Sequence, residues 1–339
     1  MGRGGVMKAI VITKPGGPEV LELRETPAPR AAAGEILVKV RAAGINRADI
    51  LQRMGQYPAP PGAPADIPGM EYAGEVAALG AGARAWKVGD RVMGLVPAGG
   101  YAERVTVAEA LALPVPSGWS FEQAASVPEV YITAYDALFR QMRLAAGETV
   151  LIHAVGSGVG TAALQLAKAS GARVFGTSRS AAKLERARAL GLEVGIDTSR
   201  EDFAEVVRRQ TGGAGVDLVL DLVGGPVLGG NLLALARGGR MIVVGLTGGR
   251  SAPLDLGAVL NKRLTIVGTV MRARTVEEKI GVTAHFAAEV LPLFEGGIVR
   301  PIVERSYPLA EAAAAHRELE SDAVFGKLVL RCDESAGGR

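Results

Sequence analysis

Five residues, Gly156-Ser157-Gly158-Val159-Gly160, carry the plainest chemical signal in the chain. They follow the apolar run TVLIHA and open a small-residue segment, TAALQLAKAS. Glycine lets the backbone turn tightly and lets a pyrophosphate approach with no Cβ in the way. The N–H groups at a helix start, helped by the helix dipole, then face the anion. Ala162, Ala163 and Ala167 allow that helix to lie close on a sheet. Strand, glycine turn and helix in this order read as a dinucleotide seat; a tight turn without a ligand is the plainer alternative.

The next strand selects among dinucleotides. An NAD site usually ends that strand, about 20 residues on, in an Asp or Glu that holds the ribose 2′-OH. Here ARVFGT ends in Thr177-Ser178-Arg179, with Lys183 one turn further. These residues offer hydrogen bonds and positive charge to a 2′-phosphate, so NADPH is the expected cofactor and NADH the lesser alternative. Solvated helix-start charges are the bland reading of Arg179 and Lys183. His153, just before the glycine turn, reads as a strand-end structural histidine rather than a base. His285 and His316 fall in helical patterns and read as surface residues.

The elements around the glycines have a regular beat. Apolar strand cores near Val150, Val174, Val194, Val219, Val243 and Ile266 are spaced about 20–25 residues apart, with helical patterns between them. Those patterns cover 159–170, 180–190, 201–211, 226–236 and 255–262. Alternation of this kind gives a parallel sheet with helices on both faces, and six strands match a doubly wound α/β fold. The first third differs: KAIVITK, VLELRETP, GEILVKVRAAGI, YAGEVAALG, GDRVMGLV and YAERVTV are short strands parted by Gly and Pro. The Pro-rich piece 58–69 is a loop. After Thr269 come a helix over 276–294, the strand IVERSYP, a short helix and GKLVLRC, which return to the β-rich part.

Composition excludes several classes. The chain has 339 residues, 48% hydrophobic and 22% charged, with net charge +3 and one cysteine, Cys332. One cysteine makes no internal disulfide, and with three scattered histidines it makes no tetrahedral zinc set. No apolar run is long enough to span a membrane, and no basic stripe interleaved with aromatics suggests nucleic acid. The start MGRGGV lacks a signal-peptide core, and Gly2 is not followed by a myristoylation pattern. Met7 is an alternative start. The expected location is the cytoplasm.

Longer stretches carry a resemblance. GINRADILQRMGQYPAPPGA (44–63), IPGMEYAGEV (67–76), WKVGDRVMGLVPAGGYAERVTV (86–107), AASVPEVYITAYDAL (124–138), the glycine segment and FGKLVL (325–330) span nearly the whole chain. Together they resemble the zinc-independent quinone oxidoreductases of the medium-chain dehydrogenase/reductase superfamily, most nearly the p53-inducible type. The resemblance implies a mostly β, GroES-like catalytic domain over 1–128 and 273–339, and a six-stranded Rossmann domain over 129–272. It implies a homodimer with the stretch GTVMRAR near the subunit contact.

The resemblance also assigns residues. Asn46 and Tyr57 would line the site beside nicotinamide and substrate, Tyr57 stacking on a planar acceptor and donating its OH. Loop packing for Tyr57 and a turn for Asn46 are the alternatives. Asp49 would cap or brace the following helix. Cofactor contacts would come from Asn46, Thr133, Gly156, Ser157, Gly158, Val159, Gly160, Ser178, Arg179, Lys183, Gly245, Leu246, Thr269, Val270, Phe325 and Lys327, with Gly245 and Leu246 ending the fifth strand. Zinc-dependent relatives carry Cys where Asn46 stands, His-Glu where Met70-Glu71 stand, and a four-Cys lobe this chain lacks, so no metal is expected. Many relatives place an Asn-Tyr pair, which packs on the adenosine 2′-phosphate, where Asp197-Thr198 stand; here that aromatic contact is missing and the carboxylate opposes a 2′-phosphate.

The expected activity is hydride transfer from NADPH to a quinone. An enoyl or α,β-unsaturated carbonyl reductase is the enzyme alternative. An NADPH-binding sensor or RNA-binding protein with little turnover is the alternative of another class.

Overall fold

The computed structural model describes residues 5–332 of the 339. Met1 and Gly2, and with them the question of the start and the reading of Gly2, lie outside the described residues. Of MGRGGV, Val6 opens a strand and the Gly5 carbonyl accepts from the Ala28 amide at 2.8 Å. The chain divides into two compact units, Met1–Ile132 with Arg272–Arg339, and Thr133–Met271.

The first unit is built mostly on antiparallel pairing. β1 (Val6–Ile12) and β2 (Leu21–Pro27) form a two-stranded ladder. The main sheet centres on β3 (Glu35–Gly44), where Ile36, Val38 and Val40 alternate into the core at the two-residue period of a half-buried strand. β4 (Glu71–Leu79), β5 (Arg91–Leu95) and β7 (Ala112–Pro114) continue it on one side, and β6 (Arg104–Ala108) also pairs with β3. The chain's last strands, β14 (Val303–Pro308) and β15 (Lys327–Arg331), alone among the unit's described strands in running parallel to each other, complete the other side, with Val329 opposite Gly44. That register brings Lys327 beside the end of β3, where the chain turns into α1 (Arg47–Arg53).

α2 (Phe121–Ala125) lies against β3 and β4, and α3 (Pro128–Tyr135) follows it. Where one helix is expected over 276–294, there are two: α9 (Val276–Glu289) and α10 (Leu291–Glu295). Pro292 is the reason, since its ring clashes with the carbonyl four residues back and it has no N–H to donate. α11 (Ala312–Glu320) buries Ala312, Ala315 and His316. His316 is fully buried, against its expected place on the surface. The helical period puts it on the same face as the two alanines.

The second unit is the doubly wound fold. β8 (Thr149–Ile152), β9 (Arg173–Ser178), β10 (Val194–Asp197), β11 (Val216–Asp221), β12 (Leu235–Val243) and β13 (Thr265–Gly268) are all parallel, in the order β10-β9-β8-β11-β12-β13. β8 is buried at every residue, as a strand covered on both faces requires. The crossovers carry α4 (Gly158–Ala169), α5 (Ala181–Arg188), α6 (Phe203–Gln210), α7 (Leu228–Ala234) and α8 (Leu256–Lys262). Ser157, Ser180, Asp202 and Asp255 cap four of these helices through side-chain oxygens. Gly245 and Leu246 lie beyond the fifth strand rather than ending it. β12 stops at Val243: the Val244 amide makes the last ladder bond to the Asp221 carbonyl, and the Gly245 amide turns back to that same oxygen.

Candidate active site

In the second unit the glycine turn opens α4. Ser157 caps α4, its Oγ accepting from the Gly160 amide at 3.1 Å. The amides of Gly158 and Val159 have no partner among the described residues and belong to the helix's open first turn. A Cβ on Gly160 would overlap the Ala154 carbonyl oxygen and crowd the Val155 backbone, so this glycine is what lets helix and strand end meet. Ala154 takes φ +48°, the left-handed region, which costs a non-glycine residue about 1–2 kcal/mol. The Ser157 amide bonds back to the Ala154 carbonyl and the Val155 amide to Thr177, and these bonds hold the strained turn.

His153 belongs to the frame. Its Nε2 donates to Asn231 Oδ1 at 2.6 Å, and its Nδ1 accepts from the Thr177 hydroxyl at 2.9 Å. Asn231 in turn donates to Asp221, which fixes the amide's orientation and hence the tautomer. Burial holds the imidazole neutral by lowering its pKa. With both nitrogens engaged it has no lone pair for a substrate.

Ser178 ends β9 beside Asp197, its register partner on β10. Its Oγ accepts from the Ser180 amide at 3.1 Å, and its O–H remains able to donate. Arg179 is exposed and Lys183 half-buried on the first turn of α5. Hydrogen bonds from the Ser199 hydroxyl and amide keep the Asp197 carboxyl below its usual range, so the neighbouring charge is permanent. Leu246 and Val270 are exposed. The Thr269 hydroxyl accepts from Gln141 at 2.7 Å. Thr133 presents a buried hydroxyl with no partner among the described residues. An orphaned buried hydroxyl and an open helix turn, on one unit, fit a pyridine dinucleotide.

The first unit holds a sealed polar cluster where β3, α1, β4 and β15 converge. Lys327 Nζ donates to the Ile45 carbonyl (2.6 Å), Asn46 Oδ1 (2.6 Å) and Glu71 Oε1 (2.7 Å). Asn46 Nδ2 donates to the same Glu71 oxygen at 2.8 Å, and the Glu129 amide to the other at 2.8 Å. Gly44 makes room, since a Cβ there would overlap the Glu71 carboxylate and the Ala125 carbonyl. All three N–H groups of Lys327 are thus taken within the cluster, as is the whole side chain of Asn46. Phe325 is buried.

A zinc ion does not fit these residues. Asn46 and Met70 are poor donors for it, and both oxygens of Glu71 are engaged. The cation present is the ammonium. Among the described residues no three His, Cys, Asp or Glu side chains gather as a metal set.

Asp49 braces α1 as expected and does more. It accepts from the Asn46 amide (2.8 Å), the Gly69 amide (3.1 Å) and the Tyr101 hydroxyl (3.0 Å). Burial pushes its pKa up to about 6, against the pull of the Asn46 amide, Lys327 and the Tyr101 hydroxyl. Tyr101 also meets His316 Nε2 at 3.2 Å; His316 Nδ1 accepts from Arg53 at 3.2 Å, and Arg53 pairs with Glu320 at 2.5 Å. Burial, then the Arg53 charge, lowers the His316 pKa to about 3.

Tyr57 is half-buried. The Arg272 guanidinium lies 4.9 Å from its ring centroid and donates to its carbonyl at 3.0 Å. Arg272 also donates to Pro97 O (2.7 Å) and Gln52 Oε1 (2.6 Å), so it ties the Pro-rich loop to α1. One face of Tyr57 therefore already has a partner. Its hydroxyl has none among the described residues, and burial raises its pKa. Sequence reasoning missed Arg272 and Glu129. The residue pair Pro128-Glu129 at a helix start was the available signal for the second; nothing local signals the first.

Two family models match the chain: an alcohol dehydrogenase GroES-like domain over residues 32–117 and a zinc-binding dehydrogenase over residues 158–286. A quinone oxidoreductase of Rattus norvegicus is 34% identical over 334 residues, 96% of this chain and 98% of the relative. The native structure of mycobacterial Rv1454c complexed with NADPH superposes with a TM-score of 0.88 at 33% identity, covering 96% of this chain and all of that one. The structure of CurK enoyl reductase superposes with a TM-score of 0.84 at 28% identity, covering 96% and 98%. With the two-unit fold and the glycine turn before α4, these likenesses make the chain a member of the quinone oxidoreductase family of the medium-chain dehydrogenase/reductase superfamily, and an oxidoreductase.

Proposed function

We propose that the chain is an NADPH-dependent reductase that delivers a hydride to a quinone without a metal ion. The observation that carries this reading is the open first turn of α4, with Gly158 and Val159 amides free beside the Ser157 cap. When bound, the reduced nicotinamide would supply the hydride, the hard step of the reaction. The chain's own residues do the rest. Gly156, Ser157, Gly158, Val159 and Gly160 would hold the pyrophosphate. Ser178, Arg179 and Lys183 would meet the 2′-phosphate, and Thr133 would hydrogen-bond the nicotinamide half. Gly245, Leu246, Thr269 and Val270 would offer backbone contacts.

On the acceptor's side, the unpartnered Tyr57 hydroxyl would stabilise charge developing on a carbonyl oxygen. Asn46 would act at one remove, since its amide is committed to Glu71 and Lys327. Phe325 would pack, and Lys327 would hold Asn46 and Glu71 in place. Zinc-independence rests on the donor set: an amide, a thioether and a filled carboxylate stand where metal-dependent relatives carry ligands.

The likeness to an enoyl reductase favours one second reading, reduction of an enone. NADPH oxidation with a panel of quinones, enones and enoyl thioesters separates the two. Quinones should give the higher kcat/KM; preference for an enoyl thioester would reverse the assignment.

A homodimer is proposed through the open edge of the second unit. β13 is an edge strand with Ile266 exposed, and Leu256, Leu260 and Val270 add apolar surface near it in sequence. Such an edge invites pairing with a second copy. No helix among the described residues is long and apolar enough to cross a membrane. We place the chain in the cytoplasm and expect no nucleic-acid partner, from its single cysteine and interspersed charge.

A further inference from the structure

Three acidic side chains meet in the first unit, and they are not equivalent. Glu71 is fully buried with both oxygens bonded, and Asp49 is fully buried with three donors. Glu129, in the first turn of α3, is only half-buried, and its carboxyl has no hydrogen-bond partner among the described residues. Its own amide is fixed to Glu71. The carboxyl lies within electrostatic reach of Glu71, Lys327, Asp49, Arg272, Tyr57 and Lys279. The one acid with an idle carboxyl therefore shares its surroundings with the one tyrosine whose hydroxyl is idle in the expected site.

We propose that Glu129 is a further catalytic residue, the acid that protonates the reduced acceptor, an assignment that rests on the reductase reading above. Hydride arrival leaves the acceptor a monoanion with its charge on oxygen. The Glu129 O–H bond then breaks, its proton forms an O–H bond to that oxygen, and the electron pair stays on the carboxylate. Hydride plus proton makes the quinone a hydroquinone. Water restores the proton once the product has left. For this the acid must be neutral beforehand. Desolvation and the nearby Glu71 carboxylate hold it so, raising its pKa to about 8, against the opposing pull of Lys327 and Arg272.

The test is Glu129→Gln, which keeps size and a hydrogen-bond donor but has no proton to give. Wild-type kcat should fall as pH rises past about 8, where the acid is spent. The variant should lose about tenfold or more in kcat, lose that alkaline limb, and bind NADPH as before. Equal kcat and an unchanged limb in the variant would overturn the assignment. Infrared difference spectra supply a second readout that needs no acceptor. A protonated-carboxyl band in the wild type at pH 7, gone by pH 9 and absent from the variant, is expected. A wild type lacking that band overturns the proposal even if it turns over. Failure of the reductase reading shows separately, as wild type inert to every quinone.

Discussion

The Lys327 ammonium lies 2.7 Å from Glu71 Oε1, with the lysine side chain 4% and the glutamate 0% exposed. A buried pair of this kind is costly to break by removing one member, because the other charge is stranded. Lys327→Met should therefore cost about 3–5 kcal/mol in urea unfolding. Adding Glu71→Gln to that variant should recover part of the loss. A single variant within about 1 kcal/mol of wild type would mean the pair is not sealed.

His316 gives a pH dependence with a definite sign. Its folded pKa, about 3, lies below the ordinary 6.5, so below pH 6.5 the unfolded chain takes up a proton that the folded chain refuses. This contribution is complete above pH 6.5 and is lost as pH falls toward 3, by as much as roughly 4 kcal/mol. Asp49 works the other way: its raised pKa adds stability as pH falls from about 6 toward 3.8. Thermal unfolding of His316→Gln should be less stable at pH 7.5, where Tyr101 and Arg53 lose a partner, yet flatter between pH 6.5 and 4. A variant as steep as wild type would locate the acid sensitivity elsewhere.

Coenzyme choice can be read from two neighbouring strands. Ser178→Asp should weaken NADPH binding at least tenfold and NADH binding far less, measured by fluorescence titration. Asp197→Asn should tighten NADPH several-fold, most at low salt, where charge is least screened. Equal effects on both coenzymes would remove the 2′-phosphate from this corner.

Tyr57→Phe removes only the hydroxyl and keeps the ring under Arg272. It should lower kcat about tenfold while leaving the NADPH dissociation constant unchanged. Unchanged turnover would make Tyr57 a packing residue of the Pro-rich loop.

What the sequence revealed follows the range of the interactions. The glycine turn and the six strands were legible because strand, turn and helix lie within a few dozen residues of one another. Asp49 was legible as a brace because its partner, the Asn46 amide, is three residues away. His316 was misread because its burial depends on Tyr101 and Arg53, 215 and 263 positions distant. Arg272 was missed for the same reason: its partners Gln52 and Tyr57 are more than 200 positions off. Lys327 was read toward a cofactor because nothing local reveals that β15 sets it against Asn46 and Glu71.

The central claim is hydride delivery from NADPH with no metal ion. The most direct measurement is NADPH oxidation by a quinone, using protein dialysed against a strong chelator and checked for metal by elemental analysis. Undiminished turnover at substoichiometric zinc is the predicted result. Activity that vanishes on chelation and returns with added zinc would contradict it.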